Sequence, residues 1–190
     1  MDLYWLVSLT TLFEPGHDRA RRVTTYPRHV RMRRMRWAGP AEMATVMGVE
    51  EGMFNSRPAR ALKADVAVML DRVRDELPAI QELWPRFERL VGLRGRRMYA
   101  IVTAGTYAAC TPVRVEDDPA HLGLDTAIRP GGWYLQARIA GEPPGLYERI
   151  GPAMEALEEL ASPADPARPL IEYYRRHDAI ELWVPILANC

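Results

Sequence analysis

The sequence is poor in the residues and motifs on which many enzyme and metalloprotein assignments depend. Its two cysteines, Cys110 and Cys190, provide neither a disulfide framework nor a paired-cysteine metal motif. The chain contains no GxSxG elbow, P-loop, GxGxxG or HExxH sequence, and its four histidines are scattered. We therefore expect no cofactor and no metal.

Long apolar runs are also missing. The first apolar stretch, residues 3–13, is too short to span a bilayer and contains Ser8, Thr10 and Thr11. It lacks the positively charged start of a secretory signal. Together with the low cysteine count, this predicts a reducing, cytoplasmic location and no membrane partner.

The chain has no overall excess of charge of either sign, since it contains 25 basic and 25 acidic residues, but these residues are unevenly distributed. The run 19–36 carries eight arginines and no acid, and Lys63 is the only lysine in the chain. Residues 44–49 have the small-residue and glycine spacing of a helix-turn-helix turn. Because phosphate attraction needs such positive charge, DNA bound through residues 19–60 is an alternative partner. A solvated arginine-rich strand or arm is the simpler explanation of the run.

The clearest positive feature is an internal repeat. Shifting the chain by 67 residues places 83–90 on 150–157, and shifting it by 73 places 107–113 on 180–186, with Pro112 on Pro185. Two copies of a small unit usually face each other, and the seam between them is a natural pocket. The repeat predicts two units that share one plan.

Hydrophobic periodicity gives the plan of each unit. The first reads as a strand over 64–70, a helix over 77–91, and strands over 98–103 and 106–115. The second reads as a strand over 133–139, a helix over 146–160, and strands over 170–175 and 180–187. We predict an α+β fold of two strand-helix-strand-strand units related by a pseudo-twofold, with antiparallel sheets, helices on one face and a ligand cleft between the units.

The last strand points to a site. Alternation places Ile180, Leu182 and Val184 on one apolar face, which must pack on a helix, and Glu181 with Trp183 on the other. A carboxylate beside aromatic rings suits a lipophilic cation or an electrophile, because rings supply area and cation–π attraction while the acid supplies charge. A solvated glutamate beside a half-buried tryptophan is the structural alternative.

Other candidate ligand-binding residues accompany this pair in the same region of the sequence. Tyr134 and Tyr174 are favoured by alternation, the latter in step with Glu172. The remaining candidates are aromatic residues of both units: Tyr99, Trp133 and Tyr147.

Three motifs carry a family resemblance over residues 58–187. They are residues 128–134 (Ile-Arg-Pro-Gly-Gly-Trp-Tyr), residues 146–152 (Leu-Tyr-Glu-Arg-Ile-Gly-Pro), and 172–174 (Glu-Tyr-Tyr) followed by 180–186 (Ile-Glu-Leu-Trp-Val-Pro-Ile). In them the chain resembles the GyrI-like small-molecule-binding family, the module that also forms effector-binding domains of AraC-type and multidrug-sensing regulators. The His-x-Gly-Pro stretch often found in that family is replaced here by residues 140–144 (Ala-Gly-Glu-Pro-Pro).

The resemblance implies a ligand cleft with Glu181 as its central acidic group. It implies sequestration or sensing of a lipophilic, cationic or electrophilic small molecule by a monomer or homodimer. Two alternatives follow from the same family: hydrolysis of cyclopropane-bearing genotoxins, with Glu181 as the catalytic group, and ligand-responsive transcriptional regulation. We expect residues 1–57 to form a basic extension and residues 58–190 to form the duplicated domain.

Overall fold

A computed structural model describes residues 52–188 as a single sheet with helices on one side. In chain order the elements are β1 (Ala59–Lys63), β2 (Val66–Arg74), α1 (Leu77–Val91), β3 (Met98–Thr103), β4 (Thr106–Pro112), β5 (Asp125–Arg129), β6 (Gly132–Ala140), α2 (Gly145–Glu148), α3 (Ile150–Leu160), β7 (Leu170–Arg176) and β8 (Ala179–Pro185).

The eight strands form one antiparallel sheet in the order β1-β6-β8-β7-β3-β4-β2-β5. Strand, helix, strand, strand recurs twice: β2, α1, β3 and β4 form one half, and β6, α2 with α3, β7 and β8 form the other. The halves join where β3 pairs with β7, and the strand order is mirrored about that seam. The α+β class and the predicted plan of both units are confirmed.

The helices follow from their apolar stripes. In α1, Leu83, Trp84, Phe87 and Val91 recur at helical spacing and are buried, because together they line one side of the helix. Gly92 ends α1 with a positive φ of 69°. The helix runs through Pro85 without a break.

The main core lies between these helices and one face of the sheet. As predicted, the side chains of Ile180, Leu182 and Val184 belong to it, together with Leu157 of α3 and Phe87 of α1. All are nearly inaccessible to solvent. The opposite face of the sheet, which we call the inner face, carries a second and smaller buried cluster.

Two strands, β1 and β5, were missing from the sequence prediction. Each has five residues and lies at an edge of the sheet, and β1 contains Arg60 and Lys63, which hide any apolar alternation. Their positions matter because β1 leads directly into β2, and β5 directly into β6. The β1–β2 link (residues 64–65) and the β5–β6 link (residues 130–131) therefore connect opposite edges of the same sheet.

The links cross each other at Gly131, whose N–H donates to the Asp65 carboxylate at 2.6 Å. A Cβ at Gly131 would lie 2.5 Å from the Lys63 carbonyl oxygen, so only glycine permits this approach. Since the crossing brings the two edges together, the sheet is curled, and the inner face is its concave side.

The segment before β1 also contacts the sheet. Asn55 N–H donates to the Arg138 carbonyl at 2.7 Å, and the Asn55 side chain accepts from Ala140 N–H at 2.6 Å. The predicted boundary at residue 58 stays a prediction, but residues 52–56 pack with the sheet. The arginine run and the helix-turn-helix candidate lie outside the described residues. Within 52–188 no helix is long and apolar enough to cross a membrane.

Candidate functional site

Four aromatic side chains gather on the inner face. Tyr99 and Tyr173 stack with their ring centroids 4.6 Å apart, across the seam between the halves. The Trp183 ring lies 5.9 Å from each of them and 5.8 Å from Tyr134. We call Tyr99, Tyr134, Tyr173 and Trp183 the aromatic cluster.

Strand register explains the cluster. Residues directly opposite in an antiparallel pair share a face. Tyr173 of β7 stands opposite Tyr99 of β3 and also opposite Glu181 of β8. All three side chains therefore lie on the inner face. Glu181 and Trp183 are two residues apart on β8 and therefore share that face, as the sequence predicted.

Glu181 has partners within the chain. Its side chain is 13% exposed, and Oε1 accepts a hydrogen bond from Arg175 Nη1 at 2.6 Å. Oε2 lies 3.3 Å from Trp183 Nε1, which donates to it. The carboxylate is thus held at the edge of the aromatic cluster by one cation and one indole N–H.

Two further cations lie over the rings. Lys63 of β1 places its ammonium nitrogen 4.2 Å from the Trp183 ring centroid. Arg129 of β5 places its guanidinium carbon 5.0 Å from the ring centroids of both Tyr99 and Trp183. These distances are within the range of cation–π attraction.

The position of Arg129 is a direct result of the curl. In the strand order, β5 lies three strands from β3 and five from β8. On a flat sheet with the usual strand spacing, β5 would lie about 14 Å from β3 and about 24 Å from β8. The second distance is too long for an arginine side chain on β5 to reach β8. Only a curled sheet brings Arg129 over Trp183.

The curl also buries much of the face that carries Trp183 and Tyr134. Trp183 is 3% exposed and Tyr134 is fully buried. Burial lowers the pKa of Lys63, an effect that neighbouring Arg129 and Arg175 reinforce and that Glu181 opposes. Burial likewise raises the pKa of Tyr99 and of Tyr134, and it raises the pKa of the inner-face thiol of Cys110 to about 12, which makes that thiol unreactive.

Beside Glu181 the surface forms a cleft of about 260 Å³. The side chains around it are mostly polar or charged: Ser56, Arg57, Gln136, Arg138, Arg175 and Glu181. This volume approaches the lower end of ordinary ligand pockets. The cleft gives solvent access to the Glu181 end of the inner face.

Glu172 and Tyr174 do not join this site, contrary to the prediction. Register places Tyr174 opposite Ile180 and Glu172 opposite Leu182, so both point to the helix-covered face. There Tyr107 and Tyr174 hydroxyls donate to the Glu172 carboxylate at 2.9 Å and 2.7 Å, and Trp84 Nε1 donates to Tyr107 at 3.2 Å. Burial raises the pKa of Glu172. This group is a buried network beneath α1.

Trp133 and Tyr147 also lie away from the inner face. Trp133 stands opposite Leu62 on the outer side of β6, is 36% exposed, and packs against Arg60. Tyr147 belongs to α2 and packs against the main core. Of the eight residues proposed from the sequence, four lie together on the inner face: Glu181, Trp183, Tyr134 and Tyr99.

Sequence reasoning missed the cations. Lys63 and Arg129 lie on the two strands that were not predicted, and Arg175 follows the cluster residue Tyr173 on β7. The sequence did draw attention to Arg129 in one way, because this residue belongs to the motif at 128–134 that contributes to the family resemblance. No group of three or more potential metal ligands occurs among residues 52–188.

No protein-family model and no curated protein matches this sequence. Solved structures do match its fold. One is an integron cassette protein, VCH_CASS2, from the mobile metagenome of Vibrio cholerae, with a TM-score of 0.56 and 17% identity over 70% of this chain and 97% of that one.

Two more are informative. SAV2435 bound to tetraphenylphosphonium has a TM-score of 0.50 and 14% identity over 70% of this chain and 95% of that one. EcmrR in a complex with DNA has a TM-score of 0.52 and 11% identity, covering 76% of this chain and 62% of that one. At these identities the likeness shows the fold alone, and that fold fits the GyrI-like resemblance.

Proposed function

We propose that this protein binds a lipophilic small molecule on the inner face, and so sequesters or senses it. The observation that carries the proposal is the aromatic cluster: four rings from both halves of the sheet meet on the face that none of the helices in residues 52–188 covers. Rings provide apolar contact area, and the charged groups around them provide orientation. The SAV2435 complex supports a small-molecule role for this fold.

A test compares two tryptophans. Replacing Trp183 by leucine removes the ring that contacts the other three, whereas Trp133→Leu removes a ring on the outer side of β6. In a thermal-shift panel of neutral, cationic and anionic aromatic compounds, we expect hits with the wild type and with Trp133→Leu. For Trp183→Leu we expect binding to weaken by about 1 kcal/mol or more. Equal responses from both variants would contradict the proposed location.

The charge of the ligand is the finer question. The sequence predicted a cationic or electrophilic ligand anchored by Glu181, and tetraphenylphosphonium, the ligand in the SAV2435 structure, is a lipophilic cation. For such a ligand Glu181→Gln is expected to weaken binding by about 1–3 kcal/mol, because a charge-assisted contact is lost. A cation entering here must compete with Arg175 for Glu181 and with Lys63 for Trp183.

A second candidate function is ligand-responsive regulation through DNA. Two observations favour it: the arginine run at 19–36 and the similarity to EcmrR, solved with DNA. We expect duplex binding that weakens steeply with salt, because phosphate contacts release counterions. A mobility-shift assay with the full chain and with a variant lacking residues 1–51 measures it. Absence of a shift at low salt would exclude DNA as a partner.

A further inference from the structure

The inner face holds a buried cation to which residues 52–188 offer no hydrogen-bonded anion. Arg129 is 4% exposed, and Nη2 donates a long hydrogen bond to the Ala64 carbonyl at 3.4 Å. Nε and Nη1 are buried and have no hydrogen-bond partner among the described residues. A guanidinium has five N–H donors in a planar fork, so two unused nitrogens are a large unmet demand.

Nearby charges make the demand greater. Among the described residues, Lys63, Arg129 and Arg175 are three of the cations near Trp183 and Glu181, and Glu181 is a carboxylate that lies among them. That carboxylate is already bonded to Arg175 at 2.6 Å. Burying a charge costs several kcal/mol unless a partner compensates it. The inner face therefore carries an excess of positive charge, which one or two negative charges would neutralise.

The geometry selects the kind of anion. A guanidinium presents two parallel pairs of N–H donors, Nε with Nη2 and Nη1 with Nη2, and each pair matches the two oxygens of a carboxylate. The fork lies over Tyr99 and Trp183, so a molecule bonded to it would extend its apolar part across the aromatic cluster. Lys63 covers Trp183 with a flexible four-carbon side chain, which can rotate aside and add its ammonium to the same carboxylate.

We infer that the inner face takes an organic anion, an aromatic or aliphatic carboxylate whose acid group accepts from one unpartnered nitrogen of Arg129, Nε or Nη1, and from the second N–H of Nη2 beside it. This inference rests on the proposed function, because it names the ligand class of the same site. It reverses the ligand charge predicted from Glu181 alone. Glu181 here neutralises Arg175 and accepts from Trp183, and it leaves Arg129 available to the ligand.

Calorimetric titration of the full chain with two matched series tests the inference. One series is naphthalene-2-carboxylate, naphthalene-2-carboxamide and 2-naphthylmethylammonium; the other is octanoate, octanamide and octylammonium. We expect each carboxylate to bind about ten-fold to a hundred-fold more tightly than its amide, since a charge-assisted bond replaces a neutral one. The ammonium compounds are expected to bind most weakly.

Variants assign the preference to one residue. Arg129→Met should abolish the preference for carboxylate over amide while the amide affinity stays within about three-fold of wild type. Arg129→Lys keeps the charge but not the fork and should give an intermediate preference. Arg72→Met is the matched control, because Arg72 is half-exposed on β2 and paired with Asp125 at 3.2 Å. Lys63→Met is expected to lose part of the preference, and it serves if Arg129→Met fails to fold.

The outcomes separate the two proposals. Equal binding of the carboxylate and its amide overturns the inference and leaves the proposed function intact. Tighter binding of the ammonium compounds overturns it in favour of a cation on Glu181. A preference that survives in both Arg129 variants overturns the assignment to Arg129. If no member of either series binds, the proposed function falls with the inference.

Discussion

At the scale of single residues, the contrast between Glu172 and Glu181 is instructive. Both are strand glutamates of the second half, nine positions apart, yet one is enclosed beneath α1 and the other lies beside a solvent-accessible cleft. Glu172 accepts from two tyrosine hydroxyls and is 7% exposed. We assign Glu172 to stability and Glu181 to the inner face, where we propose that the ligand binds.

Replacing Glu172 by alanine should therefore destabilise the fold. The Tyr107 and Tyr174 hydroxyls would lose their shared acceptor in a site that water does not reach, at about 1–3 kcal/mol for the loss of such a partner. Glu155→Ala, an exposed position on α3, is the matched control and should stay within about 0.5 kcal/mol. Denaturant unfolding of both variants measures the difference, and similar midpoints for the two would contradict the assignment.

Glu88 of α1 should make the stability depend on pH. Burial raises the pKa of its carboxyl to about 7 from a usual value near 4.5. The folded state then binds more protons than the unfolded state between these values, so this group's contribution is fully present below 4.5 and is lost as the pH rises through 7. Glu88→Gln should remove that loss. The free energy of unfolding of wild type minus variant, measured from pH 4 to 8, should fall across this window; a flat difference would contradict the burial of Glu88.

At the scale of elements, the crossing of the two strand links controls the inner face. The β5–β6 link passes the β1–β2 link at Gly131, and this contact positions both Lys63 and Arg129. The small edge strands therefore do more than extend the sheet. They carry two of the cations that decide the chemistry of the aromatic cluster.

A methyl group on residue 131 should push the two strand links apart where they cross. In Gly131→Ala the new Cβ would meet backbone atoms of residues 63–65 at 2.5–2.6 Å, and overpacking of this kind costs about 1–3 kcal/mol. Gly145→Ala at the start of α2 is the control, since a Cβ there meets nothing within 4 Å. Thermal unfolding should show a lower midpoint for the first variant only. If the first variant is as stable as wild type, the links do not cross as closely as described.

At the scale of the whole molecule, one continuous sheet joins the two halves, and its inner face draws on both. A ligand on that face should thus stabilise the described unit as a whole. We expect a single unfolding transition by circular dichroism and by tryptophan fluorescence, with the same midpoint. A ligand at one hundred times its Kd should raise the free energy of unfolding by about 2.7 kcal/mol. Separate transitions for the two probes, with only one shifted by ligand, would show that the halves respond independently.

How far the sequence determined this protein can be seen from particular elements. Periodicity identified α1, β3 and the apolar face of β8, because the spacing of side chains within one element is fixed by its own backbone geometry. The same rule placed Glu181 with Trp183. The repeat predicted the order of parts in both halves, which the strand order bears out.

The tertiary structure determined which residues of different strands lie next to one another. Tyr174 was expected at the ligand site in step with Glu172, but inter-strand register turns both toward α1, and no property of β7 alone fixes that register. The curl of the sheet brings Arg129 from the far edge onto Trp183, and strand order places Lys63 there from the near edge, although the two are 54 and 120 residues from Trp183 in the chain. Side-chain alternation is a local property and can be read from sequence, whereas the charge of this face depends on sheet curvature, which arises only when all eight strands pair.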